Sequence, residues 1–259
     1  MKQMKIDFMK KAIIMSINYT THSLTLDNDL LAMYETKTLA YEELLDSTHH
    51  LKLTGSGILA GALSYESKLK TVRADNCTYI GELAFYDCNN LEIIDAPNCL
   101  HILKSAFAGC CMLRDVCLNS CRELGAYTFQ HCESLEYLNL STCTSIGKGA
   151  FEGCSKLHAV YLPECIMIDE LTFDGCQCLE IVIAPSCKRI SNLAFIHCSN
   201  LQHVFVASEC KSDLDAFILA NDKVDVYECG NEDANRLWMT LTSISNNVSA
   251  VDADMSLDE

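Results

Sequence analysis

The 259-residue sequence predicts a solenoid of about eight coils, built mostly from short parallel strands joined by turns or short helical segments. Three observations predict it. Phe85, Phe107, Phe129, Phe151, Phe173, Phe195 and Phe217 are each 22 residues apart and account for seven of the nine phenylalanines. Cys88, Cys110, Cys132, Cys154, Cys176 and Cys198 follow three positions later, and Cys77, Cys99, Cys121, Cys143, Cys165 and Cys187 form a second column on the same period. All three prolines, Pro97, Pro163 and Pro185, share one further phase. Stacked coils account for such locking, because residues of one phase lie above one another and share one environment.

Residues 1–50 are expected to form an N-terminal cap, with strand-like alternation at Ser23–Leu26 and helix-like spacing over Leu39–Leu45. In the opening stretch, Met1 to Ile17, lysines precede the short apolar run Ala12-Ile13-Ile14-Met15. Polar Ser16 and Asn18 break that run, so no export signal is expected. The solenoid proper is read over 51–229. Leu51-Lys52-Leu53 resembles a strand slipped by one residue, and Leu63 stands where later coils carry phenylalanine. Each full period reads L-x-x-V-x-L-x-x-C, as in Leu157, Val160, Leu162 and Cys165. The central pair alternates with period two, giving a short strand with one buried face, and the flanking Leu and Cys close the coil over the same core. Gly81, Gly125 and Gly147 share a phase where the chain must bend; Gly109, Gly153 and Gly175 share another, which His131 and His197 also occupy. Residues 230–259 are read as a short amphipathic cap helix around Ala234–Leu241 and an acidic flexible tail.

The run Ile146-Gly147-Lys148-Gly149-Ala150-Phe151-Glu152-Gly153-Cys154-Ser155-Lys156-Leu157 resembles the I-G-x-x-A-F-x-x-C-x-x-L signature of BspA-type leucine-rich repeats. The likeness spans Leu51 to Cys229. It implies a leucine-rich-repeat solenoid of α/β horseshoe-like form, and membership among surface or adhesion proteins that bind other proteins. The chain departs from that pattern in placing cysteine after the strand and in lacking an evident export signal.

The formal net charge is −16, from 19 Lys+Arg against 35 Asp+Glu, and no Lys/Arg cluster interrupts it. Nucleic acid needs a basic patch, so it is excluded as an expected partner, and a neutral or basic protein is expected instead. No apolar run approaches the ~20 residues of a membrane span, so no membrane insertion is expected. Twelve of the 17 cysteines are explained by repeat phase as small buried hydrophobes, and stacked parallel Cβ vectors are poor geometry for disulfides. Cys111, Cys117, Cys178, Cys210 and Cys229 are the off-phase set from which any reactive thiol would come. No C-x-x-C, H-E-x-x-H, G-x-S-x-G or P-loop occurs, so no metal, cofactor or catalytic residue is expected.

Strand residues that alternate with the buried ones face outwards. One such column holds Asp95, Cys117, Asn139, Tyr161, Ile183, Phe205 and Tyr227; its neighbour holds Ile93, Asp115, Tyr137, Ala159, Ile181 and His203. The early half is mixed and polar, the later half apolar and aromatic. Tyr137, Tyr161, Ile181, Ile183, His203, Phe205 and Tyr227 are therefore the candidate partner-contact surface. Two other occupants of that surface are open: Trp238 on the terminal cap, and a second copy in a homodimer. The expected function is a non-enzymatic protein-binding scaffold in the cytoplasm. The alternative is a cell-surface adhesin-like protein binding host protein or glycan, with Tyr137, Asn139 and Tyr161 as a sugar platform.

Overall fold

The computed structural model describes residues 17–18, 23–26 and 49–254, apart from 214, 215, 218 and 222, with side chains from 49 to 243. The expected helical spacing at Leu39–Leu45 lies outside the described residues. Near the N-terminus, β1 (Ile17–Asn18) forms an antiparallel hairpin with β2 (Ser23–Leu26), and β2 pairs in parallel with β3 (His50–Leu53). From there each coil adds one longer and one two-residue strand. The chain order is β4 (Gly57–Ile58), β5 (Thr71–Arg73), β6 (Tyr79–Ile80), β7 (Ile93–Asp95), β8 (His101–Ile102), β9 (Asp115–Cys117), β10 (Glu123–Leu124), β11 (Tyr137–Asn139), β12 (Ser145–Ile146), β13 (Ala159–Tyr161), β14 (Met167–Ile168), β15 (Ile181–Ala184), β16 (Arg189–Ile190), β17 (His203–Val206), β18 (Lys211–Ser212) and β19 (Asp225–Glu228). Only then comes α1 (Asn231–Asp254), the one helix among the described residues.

The longer strands make one parallel ladder, interrupted between β9 and β11, and the two-residue strands make a second, interrupted between β12 and β14. From β4 onwards partners are 22 residues apart, as Ala159↔Ile181↔His203↔Asp225 illustrates. The slip read at Leu51 is real: it pairs with Val72, one residue short of a full period. Of the two expected connections, turns or short helical segments, the described coils use turns.

Those turns obey a rule of their own. Phe85 N–H donates to Ala106 O in the next coil (2.7 Å), Tyr86 N–H to Leu83 O in its own (3.1 Å), Asp87 N–H to Ala108 O (2.8 Å) and Cys88 N–H to Phe85 O (3.2 Å). Donors alternate between the coil and its neighbour, so the arc is closed and stacked at once. Two left-handed positions per coil make this possible. One column includes Leu83, Ser105, Tyr127, Gly149, Leu171 and Leu193, and the other, four residues on, includes Asp87, Gly109, His131, Gly153, Gly175 and His197. His131 and His197 thus do occupy the turn position that glycine fills in other coils, at φ 58° and 59°.

Between the ladders lies one continuous core. The phenylalanines from Phe85 to Phe195 are fully buried and stack nearly parallel, with successive ring centroids 5.1–5.7 Å apart. The cysteines are more than filler. Cys110, Cys132, Cys154 and Cys176 each donate the thiol proton to the phenylalanine carbonyl of the preceding coil, at 3.1–3.3 Å. That carbonyl also accepts the N–H three residues along its own coil. Cys165 and Cys187, in the second column, donate to the carbonyl two residues ahead at 3.1 and 3.2 Å. All seventeen cysteines are free. Burial pushes the Cys88 and Cys165 thiols up to about 12, and holds those of Cys110, Cys132 and Cys176 well above the ordinary thiol range. Close approach of coils also explains Gly125, where a Cβ would fall 2.5 Å from Lys104 N and 2.6 Å from Leu103 C.

Candidate binding face and groove

The two outward columns form as expected, and α1 divides them. The helix begins after Gly230, whose carbonyl accepts the Ala234 N–H (3.0 Å), with Glu232 and Asp233 complementing the dipole in its first turn. Ala234, Leu237, Trp238 and Leu241 fall on one stripe at helical spacing and face the sheet. Trp238 stacks on Tyr161 with centroids 5.3 Å apart and planes 11° from parallel. Ala159, Tyr161, Ile183, Ala234 and Trp238 close into a second small core, with Ile181, Phe205, Leu237 and Leu241 packed at its margin.

This corrects the candidate surface. Tyr161 and Ile183, expected to face solvent, retain 6% and 0% exposure. Their apolar columns are satisfied within the chain, because an indole is large and flat enough to cover the phenol and the aliphatic side chain beside it. Ile181 and Phe205 are half-buried at the edge of the helix and His203 beside Phe205 and Tyr227, while Tyr137 and Tyr227 remain exposed. A sugar platform of Tyr137, Asn139 and Tyr161 is reduced in the same way, since the face of Tyr161 is taken. The helix also runs 24 residues, past the expected short cap and into the stretch read as a flexible tail; 255–259 lie outside the described residues.

What stays open is the polar half. A groove of about 990 Å³ runs along the sheet face from β5 to β13. Its floor includes Arg73, Asp95, Asp115, Cys117, Tyr137 and Asn139, and Asn235, Trp238, Met239 and Thr242 of α1 supply the wall. Charges within it are matched locally: Arg73 lies 3.7 Å from Asp95, and Arg114 lies 3.7 Å from Asp115 and 3.0 Å from Glu92. In a chain of net charge −16 this is a neutral, hydrogen-bonding trough with an apolar wall. Tyr137 leans on His158 at its end (5.9 Å, 28°). Partial burial, then the Asp95 carboxylate, push the Cys117 thiol up, which holds it protonated and poorly nucleophilic. Among the described residues no three His, Cys, Asp or Glu side chains gather into a metal-sized group. None of the helices among them is long and apolar enough to cross a membrane. Arg73, Arg114, Ser141 and Met239 were not singled out by sequence reasoning; the polar early half of the columns was the available signal, and the apolar half outweighed it.

Parallel strands at a fixed period, one stacked core and an open sheet face define a leucine-rich-repeat scaffold. The chain belongs to the BspA-type leucine-rich-repeat family, whose profile, the BspA type leucine rich repeat region, matches residues 56–179 and 122–221 in six copies. No curated protein matches the chain in sequence. Among solved structures it is similar to the leucine-rich-repeat protein TpLRR of T. pallidum, at 25% identity and a TM-score of 0.54, over 57% of this chain and 72% of that one. It also shares its fold with the pneumococcal vaccine antigen PcpA, at 14% identity and a TM-score of 0.53, over 71% of this chain and 52% of that one. The chain therefore spans about half the length of the pneumococcal protein.

Proposed function

We propose that the chain is a non-enzymatic scaffold that holds a protein partner in the groove between the early sheet face and α1. The groove itself carries the reading: five consecutive long strands and one helix converge on a trough large enough for a peptide segment or loop. Matched charges, amides and hydroxyls along the lining favour a partner presenting mixed polar groups. The surrounding negative charge favours one that is neutral or basic overall. The raised thiol of Cys117 argues against nucleophilic chemistry there. The test is differential capture. A partner retained by the intact chain should be lost from Tyr137→Ala/Arg114→Glu and kept by Lys148→Ala, whose ion pair with Glu170 (2.7 Å) lies outside the groove-lining set. Equal retention by both variants would remove the groove from consideration.

A second reading, display at the cell surface with adhesin-like binding of host protein or glycan, is supported by the family and by Tyr137, which is 38% exposed beside Asn139. The many buried free thiols favour the cytoplasm instead. Surface labelling of intact cells together with a glycan array separates the two: labelled, sugar-binding protein supports display, and unlabelled protein with a captured cytoplasmic partner supports the first reading.

A further inference from the structure

The last rung of the sheet is unfinished. Among the described residues, β19 pairs with β17 on one side only. All four of its residues are exposed. Asp225 N–H donates to Gln202 O (2.8 Å) and Cys229 N–H to Val206 O (2.9 Å). In a parallel ladder the residues between such donors point their backbone groups the other way. The N–H and C=O of Val226 and Glu228 therefore face outwards, a ready template for another strand.

The side chains say what that strand should carry. Val226 continues the buried column of Val182 and Val204 but is 52% exposed, since no described coil stacks beyond it. On the outward face Tyr227 stacks on Phe205 (5.0 Å, 18°), leaving its other face free to take the next ring. Asp225 and Glu228 stand at the two ends of the rung. From 225 to 233 the chain carries Asp225, Glu228, Glu232 and Asp233 and no Lys or Arg. Lys223 lies just before this stretch, and Arg236 just after it is ion-paired to Asp233 (3.9 Å).

We propose that the open edge of β19 accepts an extended, basic-ended segment of a partner protein as an added parallel rung. That segment places cations opposite Asp225 and Glu228, an aliphatic side chain over Val226 and an aromatic ring over Tyr227. Backbone hydrogen bonds supply the attachment and the charged ends supply the choice of partner. Charge argues against a second copy as the occupant, because two such edges bring four acids each to one seam.

The probe is a fluorescein-labelled peptide, Thr-Thr-Lys-Val-Tyr-Lys-Thr-Thr, titrated with the full chain and read by anisotropy. Saturable binding is expected, at least about tenfold tighter than for the peptide with Glu in place of both Lys, as attraction at two cross-strand pairs becomes repulsion. Asp225→Lys/Glu228→Lys should reverse that preference. Val226→Pro removes an outward N–H that the fold does not use, and should abolish binding while leaving the melting profile unchanged. Equal affinity for the two peptides, no reversal, or binding that survives Val226→Pro would each overturn the proposal. So would a dimer in sedimentation that Val226→Pro dissociates, which would give the edge to a second copy.

Discussion

Removing the indole of Trp238 should free α1 from the sheet while leaving the coils standing. The ring is 5% exposed and stacked on Tyr161. A tryptophan side chain presents on the order of 200 Å², so at about 25 cal/mol per Å² its burial is worth close to 5 kcal/mol. A denatured state that already hides part of that area trims the figure to about 3–4 kcal/mol. Each coil is held by its own neighbours through the alternating turn bonds and the ring stack, so Trp238→Ala should act on the docked helix alone. Hydrogen exchange reads this directly. Amides of residues 234–243 should lose about two to three powers of ten in protection, at about 1.4 kcal/mol per tenfold. Those of β11 and β13 should keep theirs. Because Trp238 is the sole tryptophan, its emission in the intact chain should shift at lower denaturant than the solenoid's circular dichroism signal. Coincident transitions, or unchanged helix protection in Trp238→Ala, would refute the idea that the helix is a separable cover.

Other outcomes follow from the stack. Phe151→Ala should cost about 3–5 kcal/mol in chemical denaturation. Phe151→Leu should cost under about 1.5 kcal/mol, since Leu63 fills the same column fully buried. Gly125→Ala, whose Cβ would meet backbone at 2.5 Å, should destabilise by about 1–3 kcal/mol from overpacking. Gly175→Ala meets nothing nearer than 3.7 Å, and should show only the left-handed cost of about 1–2 kcal/mol at φ 70°. Alkaline pH should weaken the fold. A thiol ionises near 9.0 when unfolded, while Cys88 and Cys165 stay protonated in the fold up to about 12. Across that window the unfolded state binds fewer protons, and stability falls with rising pH by roughly 1.4 kcal/mol per unit for each thiol. Urea midpoints at pH 8 and 10.5 under reducing conditions check this; an unchanged midpoint would mean the thiols are accessible.

The coil was legible because its signal repeats. Phe85 to Phe217, the paired cysteine columns and the one-residue slip at Leu51 all correspond to packing between adjacent turns, and each period restates the same constraint. The cover over Tyr161 was not legible from the columns. Its burial depends on one contact with Trp238, more than seventy residues downstream and stated only once. Alternation along a strand says which face a side chain takes, but not whether anything lies upon that face. The left-handed turns were half visible. Gly109, Gly153 and Gly175 mark one column, and His131 and His197 were read with them. In the other column Leu83, Leu171 and Leu193 carry no local cue, because stacking bonds impose a conformation that leucine disfavours by itself. The thiol donors were likewise hidden: a column of cysteine reads as hydrophobic filler until the carbonyl beneath it is seen.

A fixed 22-residue register also governs how such a gene can change in length. In-frame unequal exchange between two repeats adds or deletes one whole coil, and every column closes again above and below the junction. A gain or loss of a single codon within an arc instead puts each later ring and thiol out of line with its predecessor. Because α1 docks on the coils nearest the carboxyl end, new copies inserted upstream lengthen the exposed tract while the cover stays where it is. The architecture thus separates a part free to grow by recombination from a part that must be conserved as a unit.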